Sequence, residues 1–136
     1  MANRSRDWFA QAERDFAQAK ASQAEGRHEW ACFAAQQAAE MAVKALHLSL
    51  GQRVWGCAIA PLLEHIPQHG LDLIEKARVL DDFSAATRDV GQRTQGPPFA
   101  RYGMEHGDQA IRYAVEIVEF VRSRLSSLSP IELPNP

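Results

Sequence analysis

The chain has 136 residues, of which 46% are hydrophobic and 24% charged, and its net charge is −2 at pH 7. This composition excludes a largely disordered chain, and the length suits one domain with its own core. The net charge gives no electrostatic reason to expect nucleic-acid binding by the molecule as a whole, and no DNA partner is expected. No apolar run could cross a bilayer and the amino terminus lacks a signal-like apolar stretch, so we expect a cytoplasmic protein without a membrane partner.

The first predicted helix runs from about Ser5 to Ala24. Its apolar residues recur at steps of four, four and three positions, which is typical of an amphipathic helix: Trp8, Ala12, Phe16 and Ala19. Glu25-Gly26 then ends the helix, because glycine readily adopts the left-handed backbone conformation found at helix termini.

The second predicted helix begins near His28 and ends at Gly51, and it is rich in alanine. Its apolar stripe comprises Trp30, Phe33, Ala34, Gln37, Ala38, Met41, Ala45 and Leu48. The polar member, Gln37, is predicted either to form hydrogen bonds across the bundle or a subunit interface, or to touch a ligand. Glu40 and Lys44 form an i,i+4 pair on another face of the helix.

The rest of the chain is predicted to hold two further long helices and one short helix. In chain order these segments are a turn at Gly51–Gly56, a short helix at Ala58–Gln68, a long helix at Asp72–Arg88, a loop at Asp89–Gly107, and a last helix that uses Asp108 as its N-cap and reaches Leu128. The last helix repeats apolar residues at bundle spacing: Ile111, Ala114, Val115, Val118, Val121, Leu125 and Leu128. The pattern predicts an all-α fold, an antiparallel up-and-down bundle of four main helices plus one short helix. Residues 1–128 are predicted to form the single domain, and the proline-rich residues 129–136 are predicted to be a disordered tail.

The long loop is the first place to look for a functional site, because long loops in compact domains often carry function. Three arginines in and beside it suit phosphate binding: Arg88, Arg93 and Arg101. The alternative is an ordinary exposed loop whose acidic neighbours neutralise these cations.

Arg101 and His106 form the sharpest pair of candidate catalytic residues. An arginine can stabilise charge on a phosphate, and a histidine can move protons near neutral pH. The same spacing also arises by chance in many proteins. His65 and His69 have i,i+4 spacing with a proline between them, and we interpret them as surface histidines. No metal site and no cofactor are predicted.

The segment from Trp30 to Leu46, which reads WACFAAQQAAEMAVKAL, resembles the HEPN domain. Arg6-Asp-Trp before it and Thr87-Arg88 after it continue the resemblance, which extends over about residues 5 to 125. It implies a HEPN-like bundle, usually dimeric, similar to the carboxyl-terminal helical domain of kanamycin nucleotidyltransferase.

The resemblance also implies partners and an activity. Many small prokaryotic HEPN proteins are encoded beside a minimal nucleotidyltransferase, and several such pairs behave as toxin and antitoxin. The toxins of the family are metal-independent ribonucleases with an Arg and a His separated by four to six residues, two copies of which face one cleft across the dimer. Arg101 and His106 fit that spacing and that place between the third and fourth long helices.

Several positions depart from the family pattern. Tyr102 follows the arginine where a polar residue is usual, and Asp108 stands where a tyrosine often follows the histidine. Cys57 and Asp89-Val90 also replace residues that related members commonly carry. If the usual residues at these positions bind a ligand in other members, this protein is expected to bind it differently or not at all.

Three functions therefore stay open at this stage. The first is a homodimeric protein that binds a nucleotide or RNA, or that partners a minimal nucleotidyltransferase in a toxin–antitoxin-like pair, with Arg88, Arg93, Arg101 and Gln37 as phosphate- or nucleotide-binding residues. The second is a metal-independent endoribonuclease that uses Arg101 and His106. The third is a non-catalytic structural or interaction module.

Overall fold

The computed structural model describes residues 4–88 and 97–128, with the backbone alone described at 85–88 and at Pro98. Five α-helices occupy these ranges, together with a 3-10 helix at Pro98–Arg101: α1 (Ser5–Ala24), α2 (His28–Ser49), α3 (Ile59–Leu63), α4 (Leu71–Arg88) and α5 (Met104–Leu128). Within this described part of the chain, no helix is both long enough and apolar enough to span a membrane. Residues 129–136, predicted as a tail, lie outside the described residues.

Helices α2 and α5 pack against each other at the centre, with α1 and α4 also packed on both of them. Gln23 near the end of α1 reaches the start of α5, whereas Arg122 late in α5 reaches Glu13 in α1. These contacts make α1 and α5 antiparallel. Both α2 and α5 bury several alanines completely, and small side chains let helix axes approach closely: Ala35, Ala39, Ala42, Ala110 and Ala114.

The boundaries of α1 and α2 agree closely with the prediction. Helix α1 spans the predicted range, and α2 ends at Ser49, two residues before the predicted end. Gly26 and Gly51 follow these helices with φ values of 78° and 75°. That left-handed conformation strains other residues, so glycine is suited to both turns.

The predicted apolar stripe of α2 is only partly buried. Trp30 is 52% exposed, and Gln37 is half-buried while its neighbour Gln36 is completely buried. The reason is that α2 is contacted by α1, α3, α4 and α5, so most of its circumference is covered and no single stripe describes it. The face that carries Glu40 and Lys44 is therefore buried as well.

The later elements differ more from the prediction. Helix α3 ends at Leu63 rather than at Gln68. Gln68 has a left-handed backbone with φ of 62°, so it cannot be part of the helix. Helix α5 begins at Met104, so Asp108 is not its N-cap and the last part of the predicted loop is helical. Two predicted core positions of α5 are also largely exposed, Val115 at 38% and Leu128 at 44%. The buried side of α5 lies instead on Ala110, Ala114, Ile117, Val118 and Val121.

Candidate functional site

His106 fixes the start of α5 through its own side chain. Its Nδ1 accepts a hydrogen bond from the backbone N–H of Gly103 at 3.0 Å. The carbonyl of Gly103 accepts in turn from the backbone N–H groups of His106 and Gly107, at 3.1 and 3.3 Å. This is one half of a capping box, in which the third helical residue reaches back to the N-cap; the other half is absent because the N-cap is glycine. The helix therefore starts one turn earlier than the Asp108 prediction.

Two aromatic rings hold the imidazole of His106 in place. Its ring lies edge-to-face with Phe83 at 6.0 Å and with Tyr102 at 5.7 Å between centroids. Tyr102 is buried, and its hydroxyl donates to the carbonyl of Phe83 at 3.3 Å. About 40% of the His106 side chain is exposed. Because Nδ1 accepts a hydrogen bond, the neutral ring carries its proton on Nε2, which is the atom left to meet a ligand.

Phe99 and Arg101 lie in the 3-10 helix that leads to this histidine. The ring of Phe99 is 62% exposed, and Arg101, the last residue of the 3-10 helix, is half-buried. Tyr102 and Gly103 are the only residues between that helix and α5. An exposed aromatic ring, a guanidinium and an imidazole N–H are therefore grouped on one short segment.

Gln23 anchors this segment to the end of α1. Its Nε2 donates to the carbonyl of Met104 and to the carboxylate of Asp108, each at 2.9 Å. Its Oε1 lies 2.8 Å from Nδ1 of His28. Gly107 makes this close approach possible, since a Cβ at that position would overlap the amide group of Gln23. Asp108 thus binds Gln23 instead of capping a helix.

Among the other predicted site residues, Gln37 is the one whose side chain is described. Gln37 lines a groove between α1 and α2, and its Nε2 donates to Oε1 of Gln36 at 3.0 Å and of Glu40 at 3.4 Å. Arg88 is the last residue of α4, where only the backbone is described. Arg93 lies outside the described residues. Among the predicted phosphate-binding arginines, Arg101 is the one whose side chain is described.

Sequence reasoning missed a buried polar network on α2. Lys44 donates to Glu40 at 2.7 Å and to the carbonyl of Gly56 at 2.8 Å, and the Lys44 and Glu40 side chains are only 11% and 4% exposed. Gln36 is completely buried and donates to Asp81 of α4 at 3.1 Å. The spacing of Gln36, Glu40 and Lys44 was visible in the sequence, but nothing in it indicated that this face is covered.

Asp81 connects this network to α3. Its carboxylate accepts the backbone N–H groups of Ile59 at 2.8 Å and Ala60 at 2.9 Å, which are the unsatisfied donors of the first turn of α3. Burial raises the pKa of Asp81 above its usual value, hydrogen bonds from Ala60, Ile59 and Gln36 oppose that shift, and the charge of Glu40 adds to it. The network therefore serves the fold.

The described residues form no metal cluster, and the Cys32 thiol is buried. None of their His, Cys, Asp and Glu side chains form a group of three that could hold a metal ion. His65 and His69 place Nδ1 2.9 Å from the backbone carbonyls of Pro61 and Gly70. Burial, with a smaller contribution from the charge of Glu29, raises the pKa of the Cys32 thiol to about 12. A thiol in that environment is protonated and unreactive at neutral pH.

Comparison with protein-family profiles matches residues 5–124 to the HEPN domain. The chain belongs to the HEPN domain family. The predicted family and the predicted all-α bundle are thus confirmed. No curated protein matches the chain.

Solved structures of similar chains agree with this HEPN assignment. The crystal structure of TT1696 from Thermus thermophilus is 40% identical, with a TM-score of 0.85 over 90% of this chain and 99% of that one. ST0689, an archaeal HEPN homologue, is 34% identical, with a TM-score of 0.77 over 90% and 98%. A HEPN domain protein from Thermotoga maritima, tm0613, is 30% identical, with a TM-score of 0.68 over 88% and 98%.

Proposed function

We propose that this HEPN-domain protein binds RNA or a nucleotide at the segment from Phe99 to His106. The observation that carries the proposal is that an exposed phenylalanine ring and an arginine of the 3-10 helix lie a few residues before a partly exposed histidine in the first turn of α5. Proteins that bind single-stranded nucleic acid stack bases on exposed aromatic rings and hold phosphates with arginine. The imidazole Nε2–H adds a hydrogen-bond donor for a phosphate or a base.

Local binding of this kind is compatible with a net charge of −2. A short segment needs only one or two phosphate contacts, and stacking supplies affinity that does not depend on overall charge. We therefore expect weak salt dependence compared with a basic nucleic-acid-binding protein.

The test is titration of fluorescently labelled single-stranded RNA, and separately of ATP, followed by anisotropy or calorimetry. Phe99→Ala and Arg101→Ala should each weaken binding by about tenfold or more, since a base stacked on an aromatic ring contributes ~1–3 kcal/mol. Leu71→Ala and Arg78→Ala are matched controls, because both side chains are exposed on other parts of the surface. Wild-type protein that binds neither RNA nor ATP would contradict the proposal.

The second part of the proposal concerns protein partners: the chain forms a homodimer and associates with a minimal nucleotidyltransferase in a toxin–antitoxin-like pair. This rests on family membership and on exposed apolar side chains of α5, Met104 at 63% and, about three turns further along, Val115 at 38% exposed. Sedimentation should give a dimer, and co-expression with a transferase encoded beside this chain should yield a co-purifying complex. A monomer that captures no such transferase would remove this part.

Endoribonuclease activity is a second candidate function, favoured by the fixed orientation of His106. In such cleavage the 2′-oxygen attacks the adjacent phosphorus and the bond to the 5′-oxygen breaks. The 2′-hydroxyl loses a proton and the 5′-oxygen gains one, which leaves a 2′,3′-cyclic phosphate. Arg101 would stabilise the phosphate, and the Nε2–H of His106 would donate a hydrogen bond to a non-bridging phosphate oxygen, while water accepts the 2′ proton and returns one to the 5′-oxygen.

This candidate has its own test. RNA incubated with EDTA present should give cyclic-phosphate ends, and Arg101→Ala or His106→Ala should abolish cleavage without changing the oligomeric state. Intact RNA with the wild-type protein would rule out the enzyme while leaving binding untouched. If binding, cleavage and association all fail, the non-catalytic structural module is the remaining function.

A further inference from the structure

A groove between α1 and α2, distinct from the segment Phe99–His106, has the size of a small-ligand site. Its volume is about 490 Å³, within the range of roughly 300–1,000 Å³ that is common for such sites. Its lining includes Asp15, Glu25, Arg27, Trp30 and Gln37, and we call this site the α1–α2 groove.

The charge of the α1–α2 groove is negative. Asp15 and Glu25 contribute two carboxylates, and Arg27 is the cation among the described residues that line it. The Nε of Arg27 lies 3.6 Å from Oε1 of Glu25, so these two charges offset each other. Asp15 is half-buried and accepts one hydrogen bond from Gln11 at 2.9 Å, which leaves capacity for further donors.

Gln37, which also lines the groove, offers a further hydrogen-bond acceptor. Both hydrogen bonds of the Gln37 amide nitrogen are directed at Gln36 and Glu40 in the buried network. Its carbonyl oxygen is the acceptor that this amide can offer to a ligand. A carboxylate and an amide oxygen select donors over acceptors.

Trp30 supplies the apolar wall. Its side chain is 52% exposed although its position in the sequence predicted burial, and an edge-to-face contact with Phe33 at 5.9 Å holds the ring. Exposed indole rings attract cations through the negative charge on their faces. The packing of the bundle does not require this exposure.

We propose that the α1–α2 groove binds a small organic cation with a flat apolar body, such as an aryl amidinium, guanidinium or ammonium compound. The cationic group would pair with Asp15 and hydrogen-bond to Gln37, and the flat body would stack on Trp30. An anion is disfavoured even though α2 begins at this end, because Glu25 and Glu29 lie beside that helix terminus. The proposal is independent of RNA binding and of catalysis.

Benzamidine is the probe, because it unites a planar cation with an aromatic ring. Benzamide has nearly the same shape without the charge, and benzoate reverses the charge. The three tryptophans give separate indole N–H signals in a ¹⁵N-correlated NMR spectrum, and Trp30→Phe identifies the signal of Trp30. Benzamidine should shift that signal saturably, and benzamide and benzoate should shift it much less.

Two variants and their controls complete the experiment. Asp15→Asn and Trp30→Leu should each weaken benzamidine binding by about tenfold, as expected for loss of a charged pair or of a cation–π contact. Asp7→Asn and Trp55→Leu change exposed residues outside the groove and should leave affinity unchanged. Absence of a saturable shift, equal binding of benzamide or benzoate, or unchanged affinity in Asp15→Asn with a native-like spectrum would overturn the proposal.

Discussion

The buried network of α2 and the segment Phe99–His106 both carry charged and polar side chains, but they differ in what those side chains contact. Lys44 and Glu40 contact each other and the protein backbone, and little of either reaches solvent. His106 uses one ring nitrogen for the fold and keeps part of its ring exposed. Buried charges must be paired because they lose hydration, whereas exposed groups are able to exchange water for a ligand. Gln36, Glu40 and Lys44 of the segment that resembles the family therefore serve the fold, and the candidate RNA-binding chemistry lies at Phe99–His106.

The largest expected effect comes from breaking the buried ion pair. Lys44→Met leaves the carboxylate of Glu40 buried without its cation, so we expect the free energy of unfolding to fall by about 3–5 kcal/mol. Urea denaturation followed by circular dichroism measures this loss.

A double variant shows whether the loss of stability comes from the unpaired buried charge of Glu40 or from the loss of the ion pair itself. Lys44→Met with Glu40→Leu removes both charges and should recover most of the stability, to within about 1–2 kcal/mol of the wild type. A double variant no more stable than Lys44→Met would argue against a buried charge as the cause. The exposed pair of Arg78 and Glu64, at 3.1 Å, is the control, and Arg78→Met should cost less than about 1 kcal/mol.

A smaller loss is expected at Asp81. Asp81→Ala leaves the N–H groups of Ile59 and Ala60 without their acceptor, which should lower the free energy of unfolding by about 2 kcal/mol. Equilibrium unfolding at neutral pH tests this value.

The pH dependence of the same position has a definite sign. Because burial raises the pKa of Asp81 in the folded chain, the folded state binds this proton more tightly than the unfolded state does. The free energy of unfolding should therefore fall as pH rises from the ordinary aspartate pKa through the raised one. Asp81→Asn cannot titrate, so the stability of the wild type relative to Asp81→Asn should be greatest at low pH. A pH-independent difference would contradict the raised pKa.

The junction between α1 and α5 should respond to Gly107→Ala by a loss of about 1 kcal/mol. Alanine favours the helix by ~1 kcal/mol, but its Cβ displaces Gln23 and breaks that side chain's hydrogen bonds. In a Gln23→Ala background the same change should instead stabilise the protein. Thermal unfolding of the wild type, the two single variants and the double variant shows whether Gly107→Ala stabilises or destabilises in each background. A stabilising Gly107→Ala in the wild-type background would contradict the packing of Gln23 against Gly107.

The smallest stability effect is expected at His106. His106→Ala removes the capping hydrogen bond to Gly103 and should cost about 0.5–1 kcal/mol. Glutamine also suits the third position of a capping box, so His106→Gln should stay close to the wild type. If His106 contacts RNA, both variants should lose RNA affinity to the same extent, although only His106→Ala loses stability. If only His106→Ala loses RNA affinity, the role of His106 is structural alone.

Much of the fold could be predicted from the sequence, because helical periodicity and glycine turns are local signals. Gly26 marks the end of α1, and the alanine-rich segment marks α2. The start of α5 could not be predicted, since Gly103 and Gly107 are usual in loops and their helical role depends on His106 and on Gln23 from α1. Arg101 and His106 were predicted as a pair from their spacing and from the family resemblance, whereas the burial of Gln36 depends on contacts with other helices.

The way α3 is capped has a consequence for the order of folding. Helix α3 has five residues, too few to persist alone, and its first two N–H groups depend on a carboxylate more than 20 positions further along the chain. That acceptor is in place only once α4 has docked, so α3 should be among the last elements to form and the first to open. The amide protons of Ile59 and Ala60 should then exchange with solvent through local opening, well before the alanine-rich centre of α2 does.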